Sequence, residues 1–172
     1  MESSLNRSSI STTSKYVLFD IAGQKYALAL EDVVEVIWMV ALTSTPAHHD
    51  HIEGVINLRG TILPILNLRR MLNLPPTTYG LNHRILVVRT GERTLGFVVD
   101  AVAQVEEYTR EQVDAPREFD MSLSFVNGLI KQQNQIIFCV DLSKLISAND
   151  VSTAAEMTQR VTAAISIEKR TT

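Results

Sequence analysis

The sequence predicts a mainly β protein built as two small barrels from an internal duplication. Three observations carry that expectation. Short apolar, β-branched runs flank glycine-bearing turns, as where Val55-Ile56 leads into Arg59-Gly60 and Ile62-Leu63 leads out. The same block recurs when Gly54 is set on Gly128 (128 − 54 = 74): Val55-Ile56 meets Leu129-Ile130, and Ile62-Leu63 meets Ile136-Ile137. An earlier block recurs with Gly23 on Gly91 (91 − 23 = 68), placing Tyr16-Val17-Leu18-Phe19 on Arg84-Ile85-Leu86-Val87. Little of the chain has helical periodicity, and closure into barrels disposes of strand edges.

The domain reading follows from the repeat. Residues 1–14 are a polar, Ser/Thr-rich tail with little to bury. Residues 15–147 form the folded body, with a first barrel over about 15–74 and a second over about 83–147, and exchange of strands between them left open. Residues 148–172 place Met157, Val161, Ala164 and Ile165 at helical spacing, as expected of an amphipathic helix docked on a barrel.

Within the body, segments 16–21 and 25–30 form a hairpin around Ala22-Gly23-Gln24. Segment 31–37 reads as a short helix that gathers Val33, Val34 and Ile37 on one side. The run Ile37-Trp38-Met39-Val40-Ala41-Leu42 is continuously apolar, so part of it reads as strand; Trp38 suits core packing and exposed contact equally. After Pro46 comes the central hairpin, where Gly60 can take a positive φ without steric penalty. Segment 68–72 is a helical turn closed by Pro75-Pro76, and 75–82 is the linker. Segments 84–89 and 94–99 repeat the opening hairpin, 108–124 is a long polar excursion, and 126–130, 135–140 and 142–146 complete the second unit. The expected core comprises Val17, Phe19, Leu28, Val55 and Ile65 in the first barrel, and Ile85, Val87, Val98, Leu129 and Ile137 in the second.

Composition narrows the function classes. At 172 residues, 45% hydrophobic and 20% charged with net charge −3, the chain is ordinary globular material. No apolar run approaches the roughly 18–20 residues of a membrane span, and no secretory signal is present, so a cytoplasmic protein is expected. Mild acidity without a Lys/Arg cluster argues against nucleic acid. The single cysteine, Cys139, sits in an apolar run and reads as a small core residue. No nucleophile elbow, phosphate loop or dinucleotide loop is found, so no enzyme and no cofactor are expected. His48-His49-Asp50-His51 is the one cluster with metal-ligand residues; His48 and His51 share a face only on a helix, no third ligand stands out, and no metal site is assigned.

Functional residues are sought where the two copies differ. Asn57, Arg59 and Gly60 of the first copy become Lys131, Gln133 and Asn134 in the second. Shared apolar positions report a common core, whereas Asn-Leu-Arg-Gly is a specialisation of the first copy. Its arginine is a planar fork of five donors that stays charged.

These residues also carry a resemblance. Gly-Val-Ile-Asn-Leu-Arg-Gly-Thr-Ile-Leu-Pro-Ile-Leu-Asn-Leu-Arg at 54–69 closely resembles the signature of the CheW-like coupling domain of bacterial chemotaxis. The opening Phe19-x-Ile21-x-Gly23-x-x-Tyr26-x-Leu28 and the later Gly96-x-x-Val99-Asp100-x-Val102 resemble the same family, over about residues 15–147. The resemblance implies two five-stranded, SH3-like barrels. It implies a non-enzymatic adaptor between the cytoplasmic tip of methyl-accepting receptors and the regulatory domain of a chemotaxis histidine kinase, recruited to membrane-associated arrays without insertion of its own. With no receiver or kinase domain in the sequence, the stand-alone adaptor is the expected form. Glu35, Gly54, Asn57, Arg59 and Gly60 fall on the pattern and are expected at the partner-binding surface, Arg59 either in contact or paired with Glu35. Val33, Val36, Ile37 and Val98 are expected at an apolar receptor groove near the barrel junction. The apolar run after Glu35 and the histidine segment depart from the pattern and bear on which receptor and kinase are served. Alternative readings are an adaptor of a sister pathway, such as surface motility, or more remotely an SH3-like peptide-binding module or a histidine-dependent metal protein.

Overall fold

The computed structural model describes residues 12–45, 50–116 and 123–148. Strands β1 (Thr13–Ile21) and β2 (Gln24–Ala29) are joined by Ala22 and Gly23, with φ of 52° and 77°. Two successive left-handed residues match the right-handed twist of a hairpin, so two residues suffice. A 3-10 turn at Leu30–Asp32 leads into β3 (Val33–Trp38). The helix expected over 31–37 is therefore a strand. Its alternating half-buried and exposed residues show a period of two, which the nearly unbroken apolar sequence conceals.

The central hairpin is β4 (Ile52–Leu58) and β5 (Thr61–Leu66), followed by α1 (Leu68–Met71), whose first turn is capped by Asn67 Oδ1 accepting the Arg70 amide at 3.0 Å. Strands β6 (Arg84–Thr90) and β7 (Arg93–Val99) repeat the opening hairpin. Strand β8 (Ala101–Thr109) occupies a stretch given no element from sequence. A 3-10 turn (Arg110–Gln112) and β9 (Val113–Asp114) follow, then β10 (Val126–Gln132), β11 (Gln135–Val140) and α2 (Leu142–Ala148). The amphipathic helix expected beyond residue 148, His48 and His49 lie outside the described residues.

The strands form two sheets, ordered β8-β1-β2-β11-β10-β9 and β3-β6-β7-β5-β4. Each sheet takes one hairpin from each repeat, so the opening hairpins are exchanged. The joins are parallel: β11 lies on β2 with Cys139 opposite Ala27, and β5 lies on β7 with Ile65 opposite Gly96. Internal symmetry relates the five strands of the second sheet to five of the first, with β9 matched only by the isolated Thr43–Val55 bridge. In the opening block the matching turns set Ala22-Gly23 on Gly91-Glu92, a shift of 91 − 22 = 69. The 68 read from sequence is one residue short, and a one-residue slip in a strand swaps its faces. The 74-residue shift of the other block holds, since Leu58 faces Thr61 as Gln132 faces Gln135.

The expected core residues are all buried, but not in the expected partnership. One large cluster fills the space between the sheets and includes Val17, Phe19, Leu28, Leu66, Leu86, Val88, Phe97 and Leu145. A second, with Leu18, Ala27, Ile130, Ile137 and Cys139, lines the concave side of the first sheet. Its counterpart in the second sheet holds Ile56, Leu63, Ile65, Ile85, Val87 and Val98. Residues of the first repeat thus share a core with residues of the second.

Neither sheet closes as a continuous barrel, contrary to the expectation of full closure. The chain beyond β3 crosses back instead, and Thr43 exchanges two 2.9 Å backbone hydrogen bonds with Val55. A Cβ on Gly54 would stand 2.7 Å from the Thr43 carbonyl oxygen, so only glycine admits that crossing. In the first sheet β9 does the same job beside Leu129, over Gly128.

Candidate functional site

At the tip of the central hairpin, Arg59 and Gly60 take φ of 51° and 87°. Asn57 Oδ1 accepts the Gly60 amide at 2.8 Å, which satisfies a turn donor and holds the loop in shape. Arg59, 73% exposed at its side chain, aims back across the mouth of the second sheet. Its Nη1 donates to Glu35 Oε1 at 2.6 Å and its Nη2 to Oε2 at 2.9 Å. This is the bidentate geometry that arginine and a carboxylate favour. Glu35 lies on β3 and Arg59 beside β4, at opposite ends of the sheet, so the pair spans the gap that the backbone leaves open. The hydrogen bond from Arg59 holds the Glu35 carboxyl below the ordinary glutamate value, and the pairing raises Arg59 in turn.

The other sheet has no arginine–carboxylate pair at this place, and a neutral link from Gln132 to Glu106 joins β10 to β8 there instead. The counterpart of Glu35 is Gln104 (35 + 69 = 104) and that of Arg59 is Gln133. Gln104 donates instead to Glu106, whose carboxylate also accepts from Tyr108 and from Gln132. The turn at Gln133 keeps its left-handed φ of 53°, so the fold needs the bend in both copies but the charged clamp in one.

The expected groove residues separate into two sets. Val33 packs against the cluster between the sheets, and Val36 faces Leu86 of that cluster while remaining exposed. Ile37 and Val98 belong to the concave side of the second sheet instead, Val98 fully buried there. These two therefore lie away from the inter-sheet cluster that Val33 packs against. The bulge between Val33 and Glu35 brings Val33 onto the face of Val36 and Trp38, opposite Glu35 and Ile37, while Val98 lies on β7 opposite Ile85. Two residues not singled out from sequence pack beside Val33. Leu30 and Val102 are half-buried against the same inter-sheet cluster, Val102 being the symmetry mate of Val33 (33 + 69 = 102). Only the correct register reveals that pairing.

Beside Leu30 a cleft of about 710 Å³ is lined by Lys15, Tyr16, Thr90 and Leu142 together with the acidic Glu31, Asp32 and Asp141. Burial, then the charges of Glu31 and Asp141, raise the pKa of Asp32. Trp38 is 64% exposed, which resolves its two sequence readings in favour of the surface. No group of three metal-ligating side chains occurs among the described residues, and no helix among them is long and apolar enough to cross a membrane.

Comparison with known proteins adds to this geometry. The family model described as CheW-like domain matches residues 15–150. The chain is 33% identical over 128 residues to the chemotaxis protein CheW of Thermotoga maritima, covering 74% of this chain and 84% of that protein. It is 30% identical over 140 residues to the chemotaxis protein CheW of Klebsiella aerogenes, covering 80% and 84%. Among solved structures, the scaffolding protein TtCheW of Thermoanaerobacter tengcongensis superposes with a TM-score of 0.72 at 30% identity, over 78% of this chain and 93% of that one.

Proposed function

The chain belongs to the CheW-like domain family, and on that premise we propose that it is a non-enzymatic coupling adaptor that joins chemoreceptors to a chemotaxis histidine kinase. The kinase's regulatory domain docks on the hairpin tip at Asn57, Arg59 and Gly60 beside Glu35. The receptor tip lies in the seam at Leu30, Val33, Val36 and Val102. Both partners are held at once because the two surfaces are separate, and the protein works at membrane-associated receptor arrays through them.

One observation carries the kinase-side assignment: a duplicated fold bears the Glu35–Arg59 clamp in one half only. A feature required for folding would recur at Gln104 and Gln133; a feature selected for a partner need not. The pair is poised to exchange partners, since a desolvated arginine at the centre of an interface is among the strongest anchors known. Titration calorimetry against the kinase regulatory domain tests the reading. Arg59→Ala is expected to weaken binding about thirtyfold while Gln133→Ala leaves it unchanged. Wild-type affinity in Arg59→Ala would move the kinase site elsewhere.

A further inference from the structure

We propose that Trp38, with Arg84 stacked on it, extends the receptor groove along β3 and seats an amphipathic helix of the receptor tip that carries a carboxylate. The inference rests on the coupling role stated above and adds the far end of its groove.

The register places the pair. Val36 lies opposite Leu86 and Trp38 opposite Arg84 on β6, and directly opposed residues share a sheet face. Leu86 belongs to the core between the sheets, so Val36 and Trp38 prolong that apolar face outward past its covered part. A tryptophan left 64% exposed at the end of such a strip is a surface shaped to be covered.

Arg84 gives the strip its charge. Its Cζ stands 3.2 Å over the Trp38 ring, and its Nη1 donates to the carbonyls of Asn82 at 2.6 Å and His83 at 3.0 Å. The guanidinium is thereby fixed in place, and among the described residues no carboxylate pairs with it. A cation held over an aromatic face, with donors left over, matches an incoming carboxylate.

The fold does not demand this arrangement. The symmetry mates of Arg84 and Trp38 are Lys15 and Glu107 (84 − 69 = 15; 38 + 69 = 107), an ordinary cross-strand pair of opposite charges. As with the clamp, the half that bears Glu35 and Arg59 has departed from its twin.

Dimensions favour a helix as the occupant. From Val33 to Trp38 the bulged strand advances only as far as Val88 to Arg84 on β6, about 13 Å, the length of a little over two helical turns. A helix laid there sets side chains at i, i+4 and i+8, about 12 Å from first to last, over Val33, Val36 and Trp38, and its carboxylate beside Arg84. An added strand is disfavoured because the Glu35–Arg59 pair already spans the free edge of β3.

The test uses the full chain, a soluble helical hairpin cut from a chemoreceptor tip, and the kinase regulatory domain as second partner. Trp38→Ala and Arg84→Gln should each weaken hairpin binding about tenfold, and together by less than the product, because the two act as one unit. Arg84→Gln should also flatten the salt dependence of that binding, with kinase binding unchanged. Wild-type affinity for the hairpin in both variants overturns the inference and leaves the coupling role standing. Loss of kinase binding alone, or dissociation of a self-assembled oligomer alone, assigns the strip to another occupant and overturns it too. If the unaltered chain binds neither partner, the coupling role itself fails.

Discussion

Arg69 Nη2 reaches both carboxylate oxygens of Asp100, at 2.9 and 2.7 Å, and the same carboxylate accepts the Ala22 amide at 2.8 Å. Three elements meet there: α1 of the first repeat, the β7–β8 corner of the second, and the β1–β2 turn that belongs to the other sheet. Arg69 Nη1 also donates to the Pro75 carbonyl at 3.0 Å, which ties down the start of the linker. Asp100→Asn should therefore destabilise the protein by about 1–3 kcal/mol, since it weakens several partly buried hydrogen bonds at once. Urea titration of the variant measures the loss.

Acid should act on the same group. Burial works against the Asp100 charge, but the bonds from Arg69 and Ala22 outweigh it and the net pKa lies below the ordinary aspartate value. A carboxyl with a depressed folded pKa contributes its stability above the unfolded value near 3.9, and that contribution is lost as pH falls through the folded pKa. Stability of the wild type should decline below about pH 4 more steeply than that of Asp100→Asn. Parallel curves for the two would remove Asp100 from the acid response.

Gly96 lies where the hairpins join. A Cβ there would stand 2.6 Å from Ile65 Cδ1 and 2.9 Å from Ile85 Cγ2. Its symmetry mate is Ala27, which faces the smaller Cys139 rather than an isoleucine, so the two joins share volume differently across the same contact. Gly96→Ala should cost about 1–3 kcal/mol by overpacking, and pairing it with Ile65→Val should recover part of the loss. Melting curves of the single and double variants decide this.

Cys139 is 1% exposed and burial pushes its thiol up to about 12. An aromatic disulfide reagent should leave it untouched in the native protein and label it stoichiometrically in denaturant. Rapid labelling under native conditions would mean that β11 opens readily from β2.

Three of the four hairpins were legible because glycine-bearing turns mark them between apolar flanks, and the fourth, which turns at Gln133-Asn134, because it repeats the block that begins at Gly54. Strands β3 and β8 were not, for opposite reasons. In β3 the run Val33-Val34-Glu35-Val36-Ile37-Trp38 is apolar on both faces, so no alternation shows, while β8 carries Gln104, Glu106 and Glu107 with no clear apolar face. Both are edge strands, with a hydrogen-bonded neighbour on one side only, where pattern is weakest. The Glu35–Arg59 pair was accessible through the chemistry of the guanidinium and the contrast between the copies. The inter-sheet face at Val33 and Val36 was only partly accessible, because its membership turns on the bulge after Val33 and on a one-residue shift between the repeats. Ile37 and Val98 instead pack with the cluster of Ile56, Leu63 and Ile85. The hairpin exchange leaves no local trace, since parallel joins such as Ile65 on Gly96 depend on residues far apart in the chain.

That exchange links the two halves like clasped hands. Tyr26 faces Phe138, 112 residues later (138 − 26 = 112), so the first sheet cannot be finished until nearly all of the body has left the ribosome. Pairings this distant in sequence make folding slow and all-or-none rather than stepwise from the first repeat to the second. They also make the linker at 75–82 dispensable once folding is done. A protease cut there should leave two fragments that co-migrate under native conditions and part only in denaturant, each still holding its hairpin in the other's sheet.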